Sequence, residues 1–484
     1  MPHTLHAPRA RAAAMAKRMT DAARAFPLAC RMPAAVRWRP FLVGGSVLVS
    51  WSATASASVA ETVATNPPGI DDATPPAAVP PADRQPARFD IRSARKRLED
   101  DGFKFQLNYT SEVAGNLTGG AHRDTTEAGQ FVFGATVDTD KAFGWKGGTF
   151  QFTISRRRGV NLSDKAGLDT LFAPQEVYGR GSTFRLTEFY LRQNFGIVDV
   201  EAGRLTMSEL FGTLPCEFEN LSFCGNQPGD MVGDYWYNYP IGQWGAWAKI
   251  HPGSVYLAVG AYAYNPNDLK RGIALSHGGT QGVTTPVEFG WTPRLGPSGL
   301  PGLYRIGAWY STAHGDDVLD GEDGRPIGIS GLPAERRSGR YGGYVLLTQQ
   351  LTGRFTIDAN GTAHTTQGLK IQANFTQMDR RTARLNSQLA LWTTFVGPIK
   401  ARPLDEIGFA IGRNGLNRRA TEETALETPG TKRPRAEYPM ELFYAVRLAP
   451  WLSVSPNVQY IVDPGGYEQA RNVAVLGLKT GLSL

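Results

Sequence analysis

Nowhere does this sequence hold the roughly 20 consecutive apolar residues that a membrane-crossing helix requires. Its one concentrated apolar run, Phe41 to Trp51, is too short for that. Histidine is scarce. Beyond residue 60 only His122, His251, His277, His314 and His364 remain, and none sits in a nucleophile elbow or a His-Glu-x-x-His arrangement. That argues against an enzyme. There are three cysteines, and net charge is missing as well once the leader is removed. The run at Phe41 follows Arg31, Arg37 and Arg39 and precedes small residues from Ala53 to Ala60, the basic, apolar, small layout of a secretory signal peptide. Cleavage is expected after Ser58-Val59-Ala60, with Ala55-Ser56-Ala57 as the second choice, and with translation starting at Met1 or Met32. Residues 1–60 carry eight of the basic residues and one acid, so the remainder has 43 of each sign. A neutral chain offers no footprint for nucleic acid or an anionic surface. Cys30 leaves with the leader. Cys216 and Cys224 remain as an even pair in an exported chain, which reads as a disulfide closing a short loop. A metal site there lacks nearby histidine.

What the chain has in quantity is glycine and aromatics: 55 Gly, 23 Phe, 17 Tyr and 10 Trp. After a Pro/Ala-rich linker at 61–90 and a short helix within Asp90–Asp101, alternation of period two takes over from Phe103. Phe103, Phe105, Leu107 and Tyr109 alternate with Lys104, Gln106, Asn108 and Thr110. The same holds around Phe131–Val137, Phe150–Ile154, Leu442–Leu448 and Leu452–Tyr460, and for Ala474–Leu484 at the chain's end. Half-apolar strands in this number, behind a secretion signal, describe an all-β transmembrane antiparallel barrel, apolar face to lipid and polar face to a wet lumen. About 385 residues at roughly 24 per strand and loop give about 16 strands, enough for an aqueous channel. Long extracellular loops are expected near 205–243, 264–300, 312–340 and 413–438.

Several short motifs stand in order along this region. They begin with RLEDDGFKFQLNYTSEVAGNLTGG (Arg97–Gly120), Gly203-Arg204 followed by Phe211, and CEFENLSFC (Cys216–Cys224). GAYAYNP from Gly260, EFGWTP from Glu288 and LPGLYRIG from Leu300 come next. Gly397-Pro398 with Arg402-Pro403 and Asp405, then PNVQY from Pro456 with Pro464-Gly465-Gly466, complete the series. In this order the chain resembles the carbohydrate-selective outer-membrane porins of the OprB type across residues 97–484. It departs from that pattern at Leu484, where Phe is expected. The resemblance implies passive diffusion of sugars or polyols into the periplasm, without cofactor or metal, through an outer-membrane barrel inserted by the barrel-assembly machinery, as a monomer or trimer. A general or small-acid porin of the same fold, and a plugged structural barrel, are the alternatives.

A sugar-selective lumen needs charged and amide groups to replace water around hydroxyls, and it must hold solute weakly enough to release it. Strand phase points Lys104, Gln106, Asn108, Gln151, Glu188, Arg192, Glu288, Arg305, Glu441, Asn457 and Gln459 inward. Arg204 joins the expected pore-lining set, with Trp236 and Tyr237 either as stacking platforms at the constriction or as interfacial girdle. Trp244 and Trp247 read as girdle. Glu188, Glu288 and Glu441 are embedded in apolar sequence and are expected either to touch sugar or to pair with lumen arginines. Arg402 and Asp405 read as a strand-end ion pair. The acidic stretch Asp316, Asp317, Asp320, Glu322 and Asp323 reads as solvated loop rather than a calcium cradle, for it lacks the EF-hand spacing.

Overall fold

The computed structural model describes residues 91–484, except Ala274, 359–361, Pro429 and Thr431. The expected leader and the 61–90 linker lie outside the described residues. No helix among the described residues is long and apolar enough to cross a membrane. The helix Ile91–Asp100 leads into the barrel and stops at Gly102, whose φ of 92° favours glycine. A Cβ there would also sit 2.7 Å from the carbonyl oxygen of Asp138.

Sixteen strands then form one closed antiparallel barrel. They are β1 Phe103–Thr118, β2 Thr125–Asp138, β3 Gly148–Gly159, β4 Phe184–Asn194, β5 Val198–Leu205, β6 Gln243–Ile250, β7 Val255–Tyr264 and β8 Gly282–Trp291. The second half comprises β9 Leu300–Ser311, β10 Arg340–Gln350, β11 Ala363–Met378, β12 Leu385–Val396, β13 Glu406–Leu416, β14 Ala436–Ala449, β15 Leu452–Val462 and β16 Val473–Ser483. Each strand pairs with its neighbours in sequence, and β16 pairs with β1 from Asn108↔Ser483 to Thr118↔Ala474. Leu484 continues the ladder, donating its N–H to the Leu107 carbonyl at 2.9 Å. Closure leaves no unpaired edge in hydrocarbon, where a lone N–H or C=O is costly.

The period of two sorts the side chains as expected. Phe105 and Leu107 of β1, Val287 and Phe289 of β8, Leu389 and Leu391 of β12, and Leu476 and Leu478 of β16 are exposed on the outer wall. Their neighbours Glu112, Glu288, Gln388 and Val475 are buried inside.

Connections at the helix end are short, such as 195–197, 251–254 and 450–451, and the opposite end carries the long ones. Long loops mark the extracellular side. They span 160–183, 206–242, 265–281, 312–339 and 417–435. Two expectations need correction. The stretch 264–300 is not one loop, because β8 lies inside it; Pro286 and two glycines mask its alternation. The long loop 160–183 is not among the expected ones, for its sequence is that of half-apolar chain. Leu162, Leu168, Phe172 and Val177 are buried in it, as suits a loop folded inward rather than splayed into water.

At a short turn, Arg402 and Asp405 form the expected pair, with Nε to Oδ2 at 2.5 Å. Asp405 also accepts from the Tyr444 hydroxyl and the Arg447 N–H. The acidic stretch is held by arginines: Asp316 by Arg336, Asp317 and Asp320 by Arg337 and Arg419, and Asp323 by Arg325. Asp316 and Asp317 sit in one strand (Gly315–Gly321) of a small hairpin whose other strand is Ala334–Arg337.

Candidate functional site

The lumen is shaped by the 206–242 loop, which runs across the inside of the barrel and is fastened to the wall at successive strands. Phe211 lies over Gly260 of β7, where an added Cβ would come within 2.9 Å of its ring. The Gly212 N–H donates to Glu288 of β8 at 2.9 Å, and the Tyr344 hydroxyl donates to the same carboxylate at 2.7 Å. Arg305 of β9 donates to the Thr213 carbonyl. Lys370 of β11 reaches Glu217 at 3.0 Å. The N–H groups of Glu219 and Asn220 both donate to Glu441 of β14, at 2.9 and 2.8 Å. Asn220 Nδ2 donates to Gln459 of β15, Gln388 of β12 donates to the Ser222 carbonyl, and Lys479 of β16 donates to the Phe218 carbonyl at 2.8 Å.

Wall positions under the loop are small where its aromatics seat. Phe223 packs against Gly412, and a Cβ at Gly477 would press on Glu219 Oε2 at 2.7 Å. Phe218 meets Phe443 edge-on at 4.9 Å between centroids. Within the loop, Cys216 and Cys224 are joined as a disulfide. It tethers the segment that carries Phe218, Glu219 and Asn220. Replacing both cysteines by serine is expected to raise single-channel conductance or weaken sugar block, with the barrel still folded by heat-modifiable mobility. Unchanged behaviour in both would remove this tether from the constriction.

A second loop, 160–183, comes in from the other side. The Val177 N–H donates to Glu112 of β1 at 3.0 Å, the Leu171 N–H to Glu437 of β14 at 2.7 Å, and Gln459 donates to the Pro174 carbonyl at 2.9 Å. Lys479 bridges Glu112 and Glu176, each at 3.1 Å. Buried carboxylates are tolerable in this setting because each accepts hydrogen bonds from backbone N–H groups or pairs with a cation.

Together the loops are fastened to the wall from β7 round to β16 and at Glu112 of β1, and they leave space nearer the helix end, along β14 to β16 and β1 to β4. A cavity of about 530 Å³ opens there, lined by Gln106, Asn108, Gln130, Thr153, Glu188 and Tyr239 among others, and it continues along the same wall past Asn108 to Ser483, Ser453 and Arg447. Glu188 accepts from Thr153 Oγ1 at 2.5 Å. Arg157 Nε donates to Gln130 at 2.7 Å, at the rim where the 160–183 loop begins. Arg192 pairs with Glu201 at 2.7 Å and Glu209 at 3.3 Å, and lies 5.4 Å above the Trp247 ring.

The residues expected to line the pore therefore divide. Glu188 faces the open cavity, Arg192 is partly exposed beside it, and Gln106 and Asn108 line its floor. Glu288, Arg305, Glu441 and Gln459 point inward as phase required, but the two loops cover them, and their partners are loop backbone and amide groups, with the wall hydroxyls of Tyr256 and Tyr344 added at Glu288, rather than a row of arginines. Arg204 is 1% exposed and serves the Leu186 carbonyl and Asp268, so it is removed from the lining. Trp236 and Tyr237, both fully buried, are neither platforms nor girdle. Trp236 packs on Trp309 at 5.1 Å, and the Tyr237 hydroxyl donates to the Asn265 carbonyl. Trp247 is not girdle either; it turns inward and donates to Glu201 at 2.9 Å. Phase alone could have found Gln130 and Thr153, which share the inward side with Gln106 and Gln151. Tyr239 arrives from a loop and left no such signal.

Residues 122–484 match the family described as carbohydrate-selective porin, OprB family. The chain belongs to this family. It is 39% identical to Porin B of Pseudomonas aeruginosa over 407 residues, covering 80% of this chain and 88% of that protein. It is 34% identical to a putative porin, QuiX, of Acinetobacter baylyi over 431 residues, covering 83% and 93%. The high-pH structure of Pseudomonas putida OprB superposes with a TM-score of 0.76 at 36% identity, covering 81% of this chain and 97% of that one. The protein is thus an outer-membrane, carbohydrate-selective porin, and not an enzyme.

Proposed function

We propose that sugars and polyols cross this OprB-family porin by passive diffusion along the side of the lumen formed by β14–β16 and β1–β4. The observation that carries this reading is the cavity that the two inward loops leave open. Its volume of about 530 Å³ falls within the ~300–1,000 Å³ typical of small-molecule sites. Amide and hydroxyl groups of Gln106, Asn108, Gln130, Thr153 and Ser453 offer donors and acceptors that stand in for the water a hydroxyl gives up. Glu188 supplies a strong acceptor and Arg447 a strong donor in the same cavity. Tyr239 presents a ring to the apolar C–H surface of a sugar. Charges of both signs in one cavity suit a neutral, hydroxyl-rich solute better than an ion of one sign. Exchange through such groups is reversible, so no energy source is required. The outer wall sits in lipid after insertion by the barrel-assembly machinery, as a monomer or a trimer.

The test is single-channel current through the purified protein in a planar bilayer, titrated with glucose and with polyols. Saturable block by millimolar sugar is the expected result. Steady current without block would reassign the cavity to a general porin, and absence of current would mean that the two loops plug the barrel.

A further inference from the structure

A second cavity, of about 460 Å³, lies at the extracellular rim, outside the lumen path. Arg337, Tyr341, Asp379, Arg380, Arg381 and Arg419 line it. Three elements meet there: the hairpin ending at Arg337, the turn 379–384 between β11 and β12, and the helix Arg418–Glu427. Most of the charge around it is already committed. Asp317 holds Arg337 at 2.9 Å and Arg419 at 2.7 Å, Asp320 holds the same two arginines, and Glu335 adds a contact to Arg337 at 2.6 Å. Asp379 is occupied with the N–H groups of Arg381 and Thr382 and the Thr382 hydroxyl.

Arg380 and Arg381 are different. Both are exposed, and neither guanidinium makes a hydrogen bond or ion pair among the described residues. Their backbone carbonyls are fixed instead, by Asn417 Nδ2 and the Val318 N–H, so the turn is rigid while two forked donors stay unused. Below them the wall turns toward the membrane. Tyr341 and Tyr310, opposite each other on β10 and β9, are 56% and 53% exposed on the outer face. Tyrosines in that position mark the level at which lipid headgroups lie.

We propose that this cavity is a phosphate-binding site on the rim of the barrel, filled by a phosphate of the outer-leaflet glycolipid. Two adjacent guanidinium groups match the oxygens of a phosphate monoester by paired N–H···O bonds. Arg337 and Arg419, clamped by their acids, wall the cavity and keep it open. The tyrosine pair sets the lipid's depth. The same chemistry would accept free phosphate, and the experiment separates the two sources.

Purified protein in detergent would be titrated with diphosphorylated lipid A, with the same lipid after enzymatic dephosphorylation, and with inorganic phosphate, read by native mass spectrometry and calorimetry. The Arg380→Ala/Arg381→Ala double variant, with backbone anchors intact, is compared with Arg435→Ala, an exposed arginine outside the cavity lining at the far end of the 417–435 loop. The expected result is binding of the phosphorylated lipid that weakens about tenfold or more in the double variant and stays unchanged in Arg435→Ala. Inorganic phosphate bound as tightly as lipid, with the same loss in the double variant, would keep the site and assign it to soluble phosphate. Equal retention of lipid with and without phosphate, or equal binding by wild type and double variant, would overturn the proposal.

Discussion

Glu441→Ala is expected to widen the pore and abolish saturable sugar block while leaving the barrel folded. The carboxylate is 1% exposed and receives the N–H groups of Glu219 and Asn220, two consecutive residues at the tip of the inward loop. Truncation leaves both donors buried without a partner, at about 1–3 kcal/mol each. The cheaper state is a loop tip lifted from the wall and hydrated. Lifting it also loosens Asn220 from Gln459 and Phe218 from Phe443, since those contacts share the same short segment. Single-channel recordings should show higher and noisier conductance, with glucose no longer blocking. Glu441→Gln keeps one good acceptor and should sit between. The strands on either side pair through their backbones, so heat-modifiable mobility should hardly change. Wild-type conductance and block in Glu441→Ala would mean that the remaining fastenings suffice and that this carboxylate does not set the bore.

The second large effect is expected at Glu188. It lines the open cavity, held by a short hydrogen bond from Thr153. Glu188→Ala should weaken sugar block roughly ten- to a hundredfold, the equivalent of losing a charged acceptor worth about 1.5–3 kcal/mol. Removing the negative charge also leaves Arg447 and nearby Arg192 less opposed, so reversal potentials in a salt gradient should move toward anions. Glu188→Gln retains an acceptor without the charge. It should shift ion selectivity as far as Ala does while losing less sugar affinity. A selectivity shift with unchanged block would show that Glu188 tunes the field without touching solute, the behaviour of a general porin.

Much of the barrel could be read from the sequence because alternation is a local property. Phe105 and Gln106 announce opposite faces whatever surrounds them, and the same logic gave the inward sense of Glu288, Glu441 and Gln459, while chain length alone gave the strand number. What those inward groups meet is a different kind of question. Gly212 is 76 positions from Glu288, Glu219 is 222 from Glu441, and Asn220 is 239 from Gln459. No periodicity spans such distances. A glutamate waiting for a loop N–H and one waiting for a sugar hydroxyl therefore look identical in sequence. Trp236 and Tyr237 misled for a related reason. Dense aromatics suit an interface, a stacking platform or the underside of a packed loop, and only the fold chose the last. The 160–183 loop was hidden because an inward-folded loop has the composition of a core.

The pairing of β1 with β16 also bears on how such a molecule comes into being. Thr118 and Asn472 touch across 354 positions of chain, so the seam can form only when nearly all the barrel has been made and gathered. Contacts this remote are slow to find, because the entropy of bringing distant segments together is lost before any ladder bond repays it. Until that seam zips, β1 and β16 each present a bare row of N–H and C=O groups that any other strand could join. Assembly of this porin is therefore exposed to mispairing until its final step, and a lesion at the seam would be felt in the yield of finished barrels before it was felt in the flow of sugar.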